Sequence, residues 1–283
     1  MSYSSDIKEE LSRINNFKNK SLIEAEFLGY ILTGNVNSDE DVVEFVTENE
    51  FNIERFYKIL FNLNIDYEPN KISKNFVATI SRKSIEEILN KIKINEVSDI
   101  TKSVIRGAFL GAGSITDPNK SYHLEILFGS DENAEYILNL CRVFGITLKQ
   151  IEYKDKYMLY IKDGEEISKF LACIGANKGV LEFEDIRIFK EMKNNVNRLV
   201  NCETANLNKT VNAAIDQIED IKLLQSLNKF DDMPIELREI AFLRLENPDA
   251  TLKELGQMLT EPIGKSGVNH RLKKIHNLAE ENR

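Results

Sequence analysis

The chain has 283 residues, of which 42% are hydrophobic and 29% are charged, a composition typical of a globular protein with two or three domains. Its formal net charge of −9 argues against a protein that coats nucleic acid over its whole surface, so any DNA contact requires a local cluster of Lys and Arg. The sequence contains neither an apolar run long enough for a membrane helix nor a secretory signal, and we therefore expect a cytoplasmic protein with no membrane partner.

Two stretches of the chain repeat the same order of predicted elements. The first opens with the apolar helix SLIEAEFLGYILTG at 21–34 and continues with a strand at 42–47, a helix at 52–64, a strand at 75–81 and a helix at 84–92. The second opens with SDITKSVIRGAFLGAG at 98–113 and continues with a strand at 122–128, a helix at 131–145, strands at 147–153 and 156–162, and a helix at 165–175. Because runs of period 2 alternate with amphipathic helices, the sequence predicts an α+β unit that occurs twice.

The two apolar opening helices are rich in Gly and Ala, so their backbones can approach closely and pack as a two-fold seam. The alternative is two independent core helices. The second helix closes on Gly111, Ala112 and Gly113, which offer no group for acid–base or metal chemistry.

Cysteine and histidine are too sparse and too scattered to predict a metal site. Cys141, Cys173 and Cys202 lie far apart, and none has a second cysteine or a histidine at the spacing of a zinc finger. We expect reduced, mostly buried thiols, no bound metal and no cofactor.

Residues 191–225 differ in composition from the segments before them, and we predict a helical connector of one or two helices there. The segment is unusually rich in asparagine, a poor helix former, at positions 194, 195, 197, 201, 206, 208 and 212. These amides indicate either local caps and helix breaks or polar contacts with a partner or with the DNA backbone, and the sequence leaves both readings open.

Three short helices are predicted in residues 226–283. The first has Pro234 at its first helical position, the second is capped by Asp249 or Thr251, and the third is capped by Ser266. On the third helix, the side chains of Val268, Leu272, Ile275 and Leu278 fall on one apolar face. Three short helices with a turn before the last are typical of a helix-turn-helix domain.

The opposite face of the last helix carries side chains suited to DNA. Lys and Arg can bind phosphates or guanine, and Asn can pair with adenine. No acidic residue occurs between Glu261 and Glu280, so this helix can approach phosphates without repulsion. The candidate DNA-binding residues are Lys265, Ser266, Asn269, His270, Arg271, Lys273, Lys274 and Asn277. The alternative is an ordinary solvated helix face, or a basic face that serves another partner.

The chain resembles the WhiA-type regulators of bacteria over nearly its whole length. The resemblance is strongest in SYHLEILF, YIKDGEEI, NNVNRLVNCETANLNKTVNAAIDQIEDI, LREIAFLRLENPDATLKELG and KSGVNHRLKKI. It implies a degenerate LAGLIDADG homing-endonuclease-like fold in two halves, joined to a helix-turn-helix similar to the sigma-factor domain that reads an upstream promoter element.

The same resemblance bears on catalysis. In active LAGLIDADG nucleases an acid that binds divalent metal precedes the last glycine of each seam helix, and the corresponding positions in this chain are Gly34 and Ala112. Neither can hold a metal. Asp39 and Asp117 are displaced from these positions, and we assign them no catalytic role. We therefore expect a protein that is not an enzyme.

The resemblance implies a regulator of sporulation genes, or of cell division and chromosome segregation genes, and our hypothesis is therefore a regulator that binds double-stranded promoter DNA and associates with the nucleoid. RNA polymerase, a sigma factor or a co-regulator is a further candidate partner. The predicted domains are the two nuclease-like halves at 1–95 and 96–190, the connector at 191–225 and the helix-turn-helix at 226–283. Two alternatives are a protein-interaction scaffold with weak DNA binding and a residual Mg²⁺-dependent DNA endonuclease.

Overall fold

The computed structural model describes residues 2–33, 36–38, 41–89 and 98–283. The chain divides into two compact units, Met1–Glu191 and Met192–Arg283. After an N-terminal helix, α1 (Tyr3–Ser12), the first unit contains the elements α2 (Lys20–Ile31), β1 (Val36–Ser38), β2 (Val42–Thr47), α3 (Glu50–Leu63), β3 (Tyr67–Ile72), β4 (Asn75–Ser81) and α4 (Arg82–Leu89). The same order then recurs in α5 (Ser98–Ala112), β5 (Gly113–Ile115), β6 (Leu124–Phe128), α6 (Asp131–Val143), β7 (Lys149–Tyr153), β8 (Lys156–Ile161) and α7 (Gly164–Ile174).

The two halves of the first unit have the same sheet topology. The first antiparallel sheet has the strand order β1-β2-β4-β3, and the second has the order β5-β6-β8-β7. In register, Val42 lies opposite Ser81 in the first sheet, and Leu124 lies opposite Ile161 in the second. The predicted α+β unit that occurs twice is therefore confirmed.

Three of these strands were not predicted from the sequence. β1 and β5 have only three residues each, too few to show a period of 2. β3 contains Pro69, which lowers its strand signal, yet Pro69 pairs with Ala78 on the outermost strand of the sheet. An edge strand tolerates proline because one side of its backbone needs no ladder hydrogen bond.

The apolar helices α2 and α5 pack as the predicted seam, and glycines set how closely they approach. A Cβ atom on Gly29 would lie 2.1 Å from the carbonyl oxygen of Val104, and one on Gly107 would lie 2.0 Å from that of Glu26. Real Cβ atoms do not approach backbone so closely, so only glycine fits either position. The alternative of two independent core helices is wrong.

A buried carboxylate lies in this seam. Glu26 of α2 is fully buried, and its side chain is ion-paired with Arg55 of α3 and with Arg106 of α5, the latter at 3.1 Å. Arg55 also donates hydrogen bonds to the carbonyl oxygens of Ser12 at 3.0 Å and Ile14 at 2.9 Å. The network thus joins both halves of the unit to the end of α1 and the segment that follows it. Burial by itself raises the pKa of Glu26, but the hydrogen bond from Arg55 and the charges of Arg55 and Arg106 outweigh it and hold that pKa below its ordinary value.

The second unit is helical. The long helix α8 (Asn177–Ser226) begins in the first unit and is followed by α9 (Ile235–Glu246), α10 (Leu252–Met258) and α11 (Lys265–Glu280). α8 is unbroken through the asparagine-rich segment, so the interpretation of these residues as helix breaks is wrong. None of the helices in the described ranges combines the length and the apolar character that a bilayer crossing requires.

The free cysteines are buried to different degrees. Cys141 is buried, Cys173 is half-buried and Cys202 is exposed on α8. The expectation of mostly buried thiols therefore holds for the first unit and is wrong for Cys202.

We predict that Glu26→Gln destabilises the first unit by about 3–5 kcal/mol at neutral pH, because the substitution leaves two buried guanidinium groups without their carboxylate. Since the pKa of Glu26 is lower in the folded chain than its ordinary value of 4.5, its contribution is complete above that pH and declines as the pH falls through the folded pKa. The difference in unfolding free energy between wild type and variant, measured by urea denaturation, should therefore shrink in acid.

Glu24→Gln is the matched control, because Glu24 lies on the same helix in a surface ion pair with Lys20 at 3.9 Å. We expect this control to change stability by less than about 1 kcal/mol. Equal effects of the two variants would contradict the assigned role of Glu26.

Candidate nucleic-acid interface

Four helical segments build the core of the second unit. Its buried side chains come from the end of α8, from the segment before α9 and from α9, α10 and α11: Ile221, Leu224, Met233, Leu237, Ile240, Ala241, Leu255, Leu259, Val268, Leu272, Ile275 and Ala279. On α11 the apolar face is the predicted one, except that Ala279 is buried and Leu278 is only partly buried. This packing turns the opposite face of α11 outward.

The starts of α9 and α10 are set by local chemistry. Thr251 and Glu254 form a capping box at the start of α10: the Thr251 hydroxyl accepts from the Glu254 backbone at 3.3 Å, and the Glu254 carboxylate accepts from the Thr251 backbone at 2.7 Å. Of the two predicted caps, Thr251 is therefore the correct one. Pro234 precedes α9 as its N-cap residue instead of occupying the first helical position, because its ψ of 143° is extended.

The turn between α10 and α11 depends on Gly256. The backbone N–H of Ile263 donates to the carbonyl oxygen of Gly256 at 3.1 Å, and a Cβ atom at residue 256 would lie 2.3 Å from the carbonyl oxygen of Ile263. Glu239 of α9 also fixes the turn by accepting a 2.7 Å hydrogen bond from the Thr260 backbone. That hydrogen bond lowers the pKa of Glu239. The position of α11 relative to α10 is thus determined by backbone contacts.

α11 starts two residues earlier than the predicted cap allows. Its N-cap residue is Gly264, whose carbonyl oxygen accepts from the N–H groups of Gly267 and Val268, and Ser266 already lies within the first turn. The prediction that Ser266 caps α11 is therefore wrong. Gly264 has no side chain to cap the helix, so the first N–H groups of α11 have no capping side chain as acceptor.

All eight candidate DNA-binding residues lie on α11. Seven of them are exposed, namely Lys265, Ser266, Asn269, His270, Lys273, Lys274 and Asn277, and Arg271 is half-buried. Within residues 192–283, neither Lys273 nor Lys274 forms an ion pair, so both ammonium groups are available to an external anion.

One cluster in this unit has the donor types of a metal site. The ligand atoms of Asp220, His276 and Glu280 lie within 4.8 Å of one another. However, Asp220 accepts from His276 Nδ1 at 2.7 Å and from Arg283 at 3.0 Å, and Arg283 is also paired with Glu280. The Arg283 guanidinium supplies the positive charge that these carboxylates need, and the cluster is an ion-pair network between α8 and the end of the chain.

The seam of the first unit lacks an acid at its described metal-equivalent position. Ala112 is the last residue of α5 and is buried, and its methyl group cannot ligate a cation. Asp117 accepts hydrogen bonds from the backbone and side chain of Asn119 at 2.8 and 3.0 Å, and it therefore shapes a surface turn. Gly34, Asp39 and the predicted boundary between residues 95 and 96 lie outside the described residues.

Comparisons with known proteins agree with this architecture. Residues 196–279 match the family model of the WhiA C-terminal HTH domain, and residues 20–98 and 101–193 match that of the WhiA LAGLIDADG-like domain. The probable cell division protein WhiA of Ruminiclostridium cellulolyticum is 42% identical over 99% of this chain and 97% of its own length. That of Clostridium beijerinckii is 57% identical over 65% of this chain and 58% of its own length. The crystal structure of full-length DUF199/WhiA from Thermatoga maritima has a TM-score of 0.66 and 29% identity, with 99% of each chain covered.

We predict that Gly256→Ala destabilises the second unit by about 1–3 kcal/mol, because the new methyl group would collide with the Ile263 backbone. Hydrogen exchange measured by mass spectrometry on the full chain should show faster exchange in α9, α10 and α11, with the seam helices of the first unit unchanged. Gly264→Ser is the control, since a Cβ atom there meets nothing within 4 Å and serine can cap α11. Normal protection in the Gly256→Ala variant would show that the turn does not need a glycine.

Proposed function

This chain belongs to the WhiA family, and from that membership we propose that it is a transcription regulator that binds promoter DNA through its helix-turn-helix domain. The observation that carries the proposal is the outward face of α11, which is exposed, basic and free of acidic residues from 262 to 279. A helix of this kind, presented after a tight turn, can enter the major groove.

The side chains of this face can contact both the phosphates and the bases of DNA. Lys265, Arg271, Lys273 and Lys274 provide positive charge for backbone phosphates or for the edge of guanine, while Asn269 and Asn277 can pair with adenine. Ser266 and His270 complete the proposed contact surface. Most of the acidic excess of the chain lies in the first unit: residues 1–191 carry 32 acidic and 24 basic side chains, whereas residues 192–283 carry 14 and 13.

The first unit has a role other than cleavage in this proposal. A seam that ends in Ala112 cannot position a divalent cation on a phosphodiester, and we propose that the nuclease-like unit adds contacts or recruits a partner such as RNA polymerase, a sigma factor or a co-regulator. The domains are assigned as 1–95, 96–190, 191–225 and 226–283, and the protein acts at the nucleoid in the cytoplasm.

The cellular role follows the names of the relatives. Both curated relatives described above are called probable cell division proteins. We propose that this chain controls genes of cell division and chromosome segregation, or of sporulation.

A second candidate function is that of a protein-interaction scaffold. It is favoured by large apolar side chains that are exposed along α8 within the second unit: Met192, Val196, Leu199, Val200, Leu207, Val211 and Ile215. Exposed apolar surface of this extent marks interaction sites. The two functions differ in their salt dependence, because only phosphate binding makes the affinity fall steeply with ionic strength.

We predict that Lys273→Glu combined with Lys274→Glu abolishes promoter binding without unfolding the protein, because both side chains are exposed and unpaired on α11. Genome-wide occupancy of the tagged chain should show discrete promoter peaks for the wild type and none for the variant. Lys193→Glu combined with Lys222→Glu makes the same charge change on exposed positions of α8 and should retain the peaks. A wild type without peaks would favour the scaffold function.

A further prediction concerns the first unit alone. A fragment of residues 1–191 keeps its own hydrophobic core but has an excess of acidic side chains, so it should bind duplex DNA weakly. Fluorescence anisotropy at several salt concentrations, with the full chain as reference, measures the difference. Tight, salt-sensitive binding by the fragment would place the main DNA contact in the nuclease-like unit instead.

A further inference from the structure

A cavity of about 470 Å³ lies within the second unit, where α8, the end of α9 and the starts of α10 and α11 meet. We call it the connector pocket and define it by Lys209 and Gln217 of α8, Arg244 of α9, Lys253 of α10, and Lys265 and Asn269 of α11. It brings together four helices that are separate in the sequence, and two of its residues belong to the proposed DNA-binding face.

The charge of the pocket is one-sided. Its lining includes four basic side chains, those of Lys209, Arg244, Lys253 and Lys265, and no acidic one. The three lysines form no ion pair among residues 192–283. In a unit where acidic residues slightly outnumber basic ones, such a grouping indicates a site for an anion.

Arg244 is the deeply buried cation of the pocket, and no residue of the described second unit supplies its counter-charge. It is only 2% exposed, yet among residues 192–283 it pairs with no carboxylate, and its Nε–H is buried without an acceptor. Its Nη1 donates to the carbonyl oxygens of Pro248 at 3.2 Å and Ala250 at 2.7 Å, which hold the side chain in place but carry no net charge. Burying a guanidinium group is costly unless an anion compensates it. Burial accordingly lowers the pKa of Arg244.

Two further groups suit an anion with several oxygen atoms. The N-terminus of α11 begins at Lys265 without a side-chain cap, so its first N–H groups are available as donors. Gln217 is half-buried, and its side-chain oxygen is buried without a partner; rotation of its last torsion angle turns the NH₂ group into that position. The pocket therefore offers charged and neutral donors together.

We propose that the connector pocket binds a phosphate group of the DNA backbone, so that the DNA interface extends from α11 onto α8 and Arg244. The proposal rests on the DNA-binding function given above. Lys265 and Asn269 line the pocket and also lie at the start of the proposed recognition face, which places the pocket beside the groove that α11 would enter. Phosphates that flank the groove are the anions nearest to that position, and such contacts fix how a helix-turn-helix lies on the duplex.

The volume of the pocket exceeds that of one phosphate group, and a sugar-phosphate segment of the backbone would use more of it. A free phosphorylated molecule has the same chemistry, and cavities of this size also bind small ligands. We assign the backbone because the pocket is continuous with the face of α11, and the experiment below separates the two sources.

The test uses the full chain with Lys209→Gln combined with Lys253→Gln, because both lysines are exposed and their loss spares Arg244 and the core. The affinity for a promoter fragment and for an unrelated duplex is measured by fluorescence anisotropy at salt concentrations from low to high. A lost phosphate contact reduces the slope of log affinity against log salt by about 0.9, so the double variant should lose about that much. Affinity should fall by a similar factor on both duplexes, since phosphates carry no sequence information. Lys193→Gln with Lys222→Gln, on α8 outside the pocket, should leave the slope unchanged.

A wild-type slope retained in the pocket variant would overturn the proposal while leaving the function of α11 intact. If the wild type itself binds without salt dependence, the proposed function and the pocket assignment both fall. Thermal unfolding with inorganic phosphate, against chloride of equal ionic strength, tests the other source. Stabilisation that is lost in the pocket variant, together with an unchanged DNA slope, would assign the pocket to a free phosphorylated ligand and overturn the backbone assignment.

Discussion

The close contact between α2 and α5 is the constraint on which the first unit depends. The backbones of the two helices are in contact at Gly29 and Gly107, where no residue other than glycine fits. Because the helices approach so closely, the Glu26 carboxylate on one of them reaches Arg106 on the other, and Arg55 joins the same network from α3. A buried charge with these partners favours one arrangement of the two halves, since any slippage would leave a cation or the carboxylate unpaired.

The sequence predicted the elements that carry strong periodicity. The strands Val42–Thr47 and Asn75–Ser81 begin and end at the predicted residues, and α2 and α5 are the predicted seam helices. Short or edge elements were missed, because three residues show no period and Pro69 in β3 masks a strand. The first residue of a helix could not be predicted where backbone conformation determines it, as at Gly264, the N-cap of α11.

The functional residues likewise fall into those that the sequence could predict and those that it could not. Its outward face on α11 could be predicted, because amphipathic spacing on one helix separates core residues from exposed ones. Glu26 gave no sequence signal, since its partners lie 29 and 80 positions further along the chain. The connector pocket was hidden for the same reason: Lys209, Arg244 and Lys253 become neighbours only when α8, α9 and α10 pack together.

The contact between Gly256 of α10 and the turn before α11 separates the residues that hold α11 in place from those that it exposes. Backbone contacts between Gly256 and Ile263 and the buried face of α11 hold the helix in place, while Asn269, Lys273, Lys274 and Asn277 point outward. Substitutions at these outward positions leave the determinants of folding untouched. Under the proposed DNA-binding function, sequence recognition can therefore be altered on an unchanged scaffold, and the same four positions are the natural ones to randomise in a library selected for altered specificity.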